Sequence, residues 1–164
     1  MVKLINGRGQ LGRELSKAKK PGYDCIIYHT WNIDDHSEIM QAREYGKFVD
    51  FVNHNLDENI YFISTKQGQQ GYLHYKLKAE LYLLEVTETG RIIRIPKLIG
   101  KGICADFRNG KIFPFDEIEE IMTPGDAAIE IMNMLSSNKR MNIVTGTLLN
   151  KKIIYELIRF GVGK

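Results

Sequence analysis

Gly7-Arg8-Gly9-Gln10-Leu11-Gly12 is a G-x-G-x-x-G that directly follows the apolar run Val2 to Asn6. A short buried strand, a glycine turn and a helix start in that order define a βα unit of the dinucleotide-binding kind. One glycine permits the tight turn, one lets backbone approach a diphosphate, and one permits close helix–strand packing. The amides opening the helix then favour an anion. A plain glycine-rich turn with no ligand accounts for the same residues, so both readings stand at this point.

The rest of the chain repeats the alternation. A helix is predicted over Gly12–Lys19, stopped by Pro21-Gly22, and Asp24 to Tyr28 has the length and branching of a second strand. Asp35 to Asn53 is amphipathic, with Ile39, Ala42, Tyr45, Phe48, Val49 and Val52 at three- and four-residue steps. Asn59 to Ser64 is a third strand, Tyr72 to Thr87 a helix, and Arg91 to Ile95 a fourth strand. Pro96 to Asn109 reads as irregular, residues 125–137 and 149–160 as helical, and Met141 to Val144 as a last strand. The expected fold is α/β: a truncated, Rossmann-like, mainly parallel sheet of about five strands with flanking helices. Residues 1–164 read as one domain, a usual length for one. Right-handed crossovers would bring the strands' carboxyl ends to one edge, where ligands bind. That edge would carry Gly7–Gly12, His29–Asn32, Ser64–Gly71 and Pro96–Gly102.

Composition narrows the partners. A net charge of +3, spread along the chain, does not suggest nucleic acid, and the pairs Lys19-Lys20 and Lys139-Arg140 read as solvated faces. No apolar run reaches the ~18 residues of a membrane span. Cys25 and Cys104 have no metal-ligand spacing, Cys25 reads as a core residue, and the usage fits a reducing cytoplasm. His36, His54 and His74 have no partners at ligand spacing, so no metal site is expected.

Tyr72-Leu73-His74-Tyr75-Lys76 is a Y-x-x-x-K opening a helix. A four-residue step puts both side chains on one face. The lysine could lower the phenol's pKa, so that it exchanges a proton with an alcohol or carbonyl. Ser64 and Thr65 close the preceding strand and could hold the substrate oxygen. An apolar Tyr and a solvated Lys on an ordinary helix is the plain alternative. His29 could line the cleft or be a satisfied strand-end histidine; Trp31 could stack on a ring ligand or pack in place.

Taken in order, these motifs resemble the extended short-chain dehydrogenase/reductase family, which includes nucleotide-sugar epimerases, dehydratases and dTDP-4-dehydrorhamnose reductases. Gly7–Gly12 with Arg13-Glu14-Leu15 resembles its opening. Asp24–His29 resembles the family's fourth strand, D-x-V-I-H, and Asn59–Thr65 its fifth, with Thr65 at the catalytic Ser/Thr position. Tyr72, Lys76 and Glu80 resemble Y-x-x-S-K-x-x-x-E, Arg94–Gly102 resembles R-x-P-N-x-Y-G-P-G, and Asp126-Ala127-Ala128 stands where the family has D-V-A. The resemblance implies Tyr72 as acid/base, Lys76 as its electrostatic partner, and Thr65 or Ser64 as donor to the substrate oxygen. It implies Gly7, Gly9, Gln10, Leu11, Gly12 and His29 around NAD or NADP, and a nucleotide sugar or related sugar as substrate.

The departures are as informative. If Asp24–His29 is the fourth strand, strands two and three are missing, and with them the adenosine-binding half and its ribose-binding acid. Asp34 and Asp35 lie 22 and 23 residues past Gly12, but would then cap a helix instead. Only six residues separate Thr65 from Tyr72, a shortened loop, and Lys97 and Ile99 replace the family's Asn and Tyr. In the family's strand order, 3-2-1-4-5-6-7, the loss leaves strand one at the sheet edge. An unpaired apolar edge is usually paired or covered. A homodimer contact is expected there, with Phe160–Lys164 as an alternative cover. A non-catalytic binding or assembly protein, derived from the same family and lacking full cofactor binding, is the alternative to an enzyme.

Overall fold

In the computed structural model the described residues are 1–5, 9–18, 22, 24–99, 118–150, 153–154 and 156. The strands β1 (Val2–Ile5), β2 (Cys25–Tyr28), β3 (Ile60–Thr65), β4 (Arg91–Ile95) and β7 (Met141–Ile143) form a five-stranded sheet in the order β1-β2-β3-β4-β7. All four pairings are parallel, with β1 held, among the described residues, by β2 alone. The truncated Rossmann-like sheet read from the sequence is therefore the fold. Two of the inner strands, Cys25-Ile26-Ile27-Tyr28 and Ile60-Tyr61-Phe62-Ile63-Ser64, are buried throughout. Continuous apolar runs are what a sheet covered on both faces requires.

Four helices cover the sheet: α1 (Gln10–Lys17), α2 (Glu38–Asn53), α3 (Gln70–Val86) and α4 (Pro124–Met134). Alternating strand residues feed two cores. Leu11 and Leu15 of α1 and Ala127, Ala128 and Ile131 of α4 pack on Ile27, Tyr61, Ile63 and Ile93. Phe48 and Val52 of α2 and Ala79 and Leu83 of α3 pack on Tyr28, Ile60, Phe62 and Ile92 from the other side. Helices α1 and α2 thus lie on opposite faces, although both connections step the same way along the sheet. The units β1–α1–β2 and β2–α2–β3 therefore have opposite hands. The expectation of uniformly right-handed crossovers fails here, because α1 and α2 cover opposite faces while both steps run the same way along the sheet. Parallel pairing still brings every carboxyl end to one edge.

Several expectations shift in detail. The buried face of α2 is Gln41, Glu44, Phe48 and Val52, while Ile39 is 85% exposed. Its N-cap is Ser37, whose hydroxyl accepts from the Met40 amide, and neither Asp34 nor Asp35 caps it. Asp35 instead accepts from the Ser37 amide and so shapes the preceding turn. Thr123 and Pro124 open α4, the hydroxyl accepting from the Asp126 amide. Arg140 is not merely part of a solvated face: its guanidinium donates to the Leu84 and Thr87 carbonyls at the end of α3.

A second sheet, unforeseen from the sequence, joins β5 (Lys97–Leu98), β6 (Ile118–Met122) and β8 (Thr147–Asn150) in the order β5-β6-β8. Residues 149–150, expected to open a helix, instead end a strand, and of the rest of that helical pattern Ile153, Ile154 and Glu156 are helical among the described residues. Cys104, most of the irregular segment and Phe160–Lys164 lie outside the described residues. Gly146 lets the chain pass over β6: a Cβ there would overlap the Ile121 carbonyl and lie 2.8 Å from Pro96 Cγ. Gly146→Ala is expected to cost about 1–3 kcal/mol, read as a lower urea midpoint.

Candidate functional site

Helix α3 starts five residues after β3 ends, so its first two turns stand over the carboxyl ends of β2 and β3. Tyr72 and Lys76 lie on the same face of those turns, facing Phe62 and Trp31. The Lys76 side chain is 3% exposed, and its ammonium donates to the Ile63 carbonyl at 2.9 Å. Its remaining surroundings are aromatic: ring centres of Phe62, Trp31 and Tyr72 lie 4.6, 4.8 and 5.8 Å from Nζ. Burial pulls Lys76 down to about 7, against the smaller opposing pull of Glu80 and Glu44. The Tyr72 ring rests on Gly68, where a Cβ would come within 2.6 Å of it, and its other neighbour is His36, 5.7 Å between ring centres.

The phenol behaves opposite to the sequence expectation. Burial pushes Tyr72 up to about 12, and the half-neutral lysine beside it does not reverse that. The lysine lowers a phenol only while it is charged and close; here it is itself dehydrated.

Of the two hydroxyls closing β3, the structure separates their roles. Thr65 Oγ1 donates to the Gln67 carbonyl at 2.6 Å and accepts from the Gln67 amide at 3.2 Å, a local turn that occupies it. Ser64 alternates to the face of Phe62 and α3, is 2% exposed, and its Oγ has no hydrogen-bond partner. His29, at the carboxyl end of β2, also has a buried, unpartnered Nε2. Burial chiefly, and Lys76 to a lesser degree, hold its pKa below the usual histidine value. A buried hydroxyl and a buried imidazole nitrogen without partners, beside a lysine, form a polar cluster with capacity to bind.

Charged side chains fix this cluster from behind. Arg94 of β4 grips Glu80 of α3 with three hydrogen bonds of 2.5–3.1 Å, and the Glu80 side chain is 2% exposed. The Tyr72, Lys76 and Glu80 series thus ends in an anchor to the sheet, a role the motif spacing alone does not reveal. Ahead of α3, Lys66 pairs with Glu120, and Gln67 Nε2 donates to the Glu120 carbonyl at 2.9 Å. Glu120 also accepts from the Gly146 amide at 2.7 Å, so the second sheet clamps the shortened loop after β3.

The glycine turn is described only in part: Gly7 and Arg8 lie outside the described residues. Gly9 stands at the N-cap of α1 with an extended backbone, φ −70° and ψ 174°, and a Cβ there would meet nothing within 4 Å. Gln10 opens the helix, Leu11 is a core residue, and Gly12 is buried against the core. Only backbone at Leu11 and Gly12 can face a ligand. A full dinucleotide does not fit the described residues. Among the described residues no strand lies beyond β1 to floor an adenosine, and the Asp34 and Asp35 backbone amides donate to Asn32 Oδ1 in the turn before α2. Among the described residues, no three acidic, histidine or cysteine side chains gather as metal ligands, and no helix is long and apolar enough to cross a membrane.

No family model matches the sequence, and no curated protein matches it. Solved structures do match the fold. The dTDP-4-dehydrorhamnose reductase of Bacillus anthracis, solved with NADP, aligns with TM-score 0.75 and 16% identity over 96% of this chain and 79% of its own. The Bordetella bronchiseptica enzyme WbmG, solved with NAD, gives 0.72 and 11% over 98% and 78%. A nucleoside-diphosphate-sugar epimerase of Staphylococcus aureus gives 0.69 and 14% over 97% and 76%. The resemblance to the extended short-chain dehydrogenase/reductases therefore runs through the fold as well as the motifs.

Proposed function

We propose that this chain is a shortened short-chain dehydrogenase/reductase-like protein that acts on a nucleotide sugar or related sugar at the carboxyl edge of its sheet. The observation that carries this is the placement of Tyr72 and Lys76 on one face of α3, with Lys76 donating to the carbonyl of Ile63, the residue before the buried, unpartnered Ser64 hydroxyl. Tyr72 is the proton-carrying group. With its pKa at about 12 it is protonated at neutral pH, so it can donate to a carbonyl oxygen, the direction of a reduction. Ser64, and Thr65 once released from Gln67, would hold that oxygen, and Lys76 would orient the ligand. Gly9, Gln10, Leu11 and Gly12, with Gly7, would face a diphosphate, and His29 would line the cleft. NAD or NADP, present in similar structures, is supported only on its diphosphate and nicotinamide side.

The test is a titration with NADH and NADPH, with and without sugar nucleotides, followed by nicotinamide fluorescence. Micromolar binding lost in Gly9→Asp supports the reading. Absence of binding at millimolar concentration removes the nicotinamide and leaves the second reading.

That second reading, a non-catalytic binding or assembly protein, is favoured by the outer edge of β1, which no strand among the described residues pairs. A homodimer formed through that edge would pair it. Sedimentation equilibrium of the wild type, with Leu4→Pro to block edge pairing, tests this: a dimer that becomes monomeric is the expected result.

A further inference from the structure

The segment between β2 and α2 is bonded to its two neighbours very differently. On the α2 side, Gln41 is fully buried and uses its whole amide on it. Its Oε1 accepts from Trp31 Nε1 at 2.7 Å, and its Nε2 donates to the carbonyls of Asn32 and Asp35 at 3.0 and 2.6 Å. Glu44, one turn on, accepts from the Asn32 amide at 3.2 Å. On the α3 side, among the described residues, the contacts are not hydrogen bonds: Trp31 lies over the Lys76 ammonium, His36 stands beside Tyr72, and a Cβ on Gly71 would lie 3.1 Å from the His36 carbonyl oxygen. Hydrogen bonds are directional and break abruptly, whereas ring contacts let a surface slide or lift.

We propose that residues 31–36 form a flap latched by Gln41, whose Trp31 indole covers Lys76 and must lift before a ligand reaches it. The inference rests on Lys76 belonging to the site proposed above and adds how access to it is controlled. Beneath the indole lies the buried Lys76 ammonium, donating to the Ile63 carbonyl, while Ser64 Oγ and His29 Nε2 are buried without hydrogen-bond partners in the closed state. An open flap would let water or ligand oxygen satisfy them. Gln41 is a positioning residue here: it touches no ligand, and it sets where the indole lies.

Trp31 is the single tryptophan, so its fluorescence reports the flap directly. The first measurement is pulse reductive methylation with formaldehyde and borohydride, with Lys76 followed by mass spectrometry, alongside acrylamide quenching. In the wild type Lys76 should react slowly beside the surface lysines, and Trp31 should be weakly quenched. Gln41→Leu should raise Lys76 labelling about tenfold, because the rate follows the open population, and increase quenching with it. Trp31→Ala, with unchanged circular dichroism, should expose Lys76 even with Gln41 intact. Fast labelling in the wild type, or slow labelling in a folded Trp31→Ala, overturns the flap. Neither arm needs a sugar nucleotide, so failure of the proposed activity and failure of the flap are separate results.

Discussion

Replacing Lys76 with methionine is expected to raise stability at neutral pH and to flatten the stability–pH curve between about pH 7 and 10.5. In the unfolded chain this lysine titrates at its ordinary 10.5, but burial holds it at about 7 in the native state. Between those values the unfolded chain binds the extra proton, so wild-type stability rises with pH across the window. Below about 7 the charged ammonium is buried and the penalty is fully present. Each pKa unit corresponds to about 1.4 kcal/mol, so the full span amounts to several kcal/mol. The methionine variant has no such slope. It leaves the Ile63 carbonyl without its donor, which returns about 1–3 kcal/mol of the gain. Above pH 10 Tyr72 works in the opposite sense. Its native pKa of about 12 keeps a proton that the unfolded chain has lost, so stability falls from 10 toward 12. Urea midpoints at several pH values check both limbs, and an unchanged slope in the methionine variant would falsify the assignment.

Arg94→Met should be the most damaging single substitution in the site. It strands a carboxylate that is 2% exposed and accepts three hydrogen bonds from that guanidinium. Removing one partner of a buried pair costs about 3–5 kcal/mol, because the remaining charge has nowhere to go. The double variant Arg94→Met with Glu80→Leu should recover most of that loss, since an apolar pair of similar volume carries no stranded charge. Chemical denaturation of the wild type, both single variants and the double variant measures the coupling, and additive losses would contradict it.

These effects also show where sequence reading runs out. Two inner strands announce themselves: Cys25–Tyr28 and Ile60–Ser64 are apolar runs of strand length, and both are buried. The Y-x-x-x-K spacing places Tyr72 and Lys76 correctly on one face because helical geometry is local. What spacing cannot carry is dielectric surroundings. Lys76 is dehydrated by Phe62 and by Trp31, which are far away in sequence, and this sets the direction of both pKa shifts. Likewise Gln41 and Glu44 look like surface positions on a helix whose apolar residues suggest another face. Their burial follows from carbonyls and amides at Asn32 and Asp35 that need partners, a demand visible only in three dimensions. The second sheet escaped for a related reason: Lys97-Leu98 is two residues long, and Thr147–Asn150 alternates too weakly to outweigh a helical pattern.

The opposite hands of β1–α1–β2 and β2–α2–β3 make the joint between Ala18 and Asp24 a natural insertion point. Two further βα units spliced there could lay their strands along the free side of β1, with α1 leading outward on the face it already covers. Stepping that way with α1 on that face gives the same hand as β2–α2–β3, so no existing element would have to move. The present chain is then a fold with one joint closed up, and it can be lengthened at that joint without being refolded.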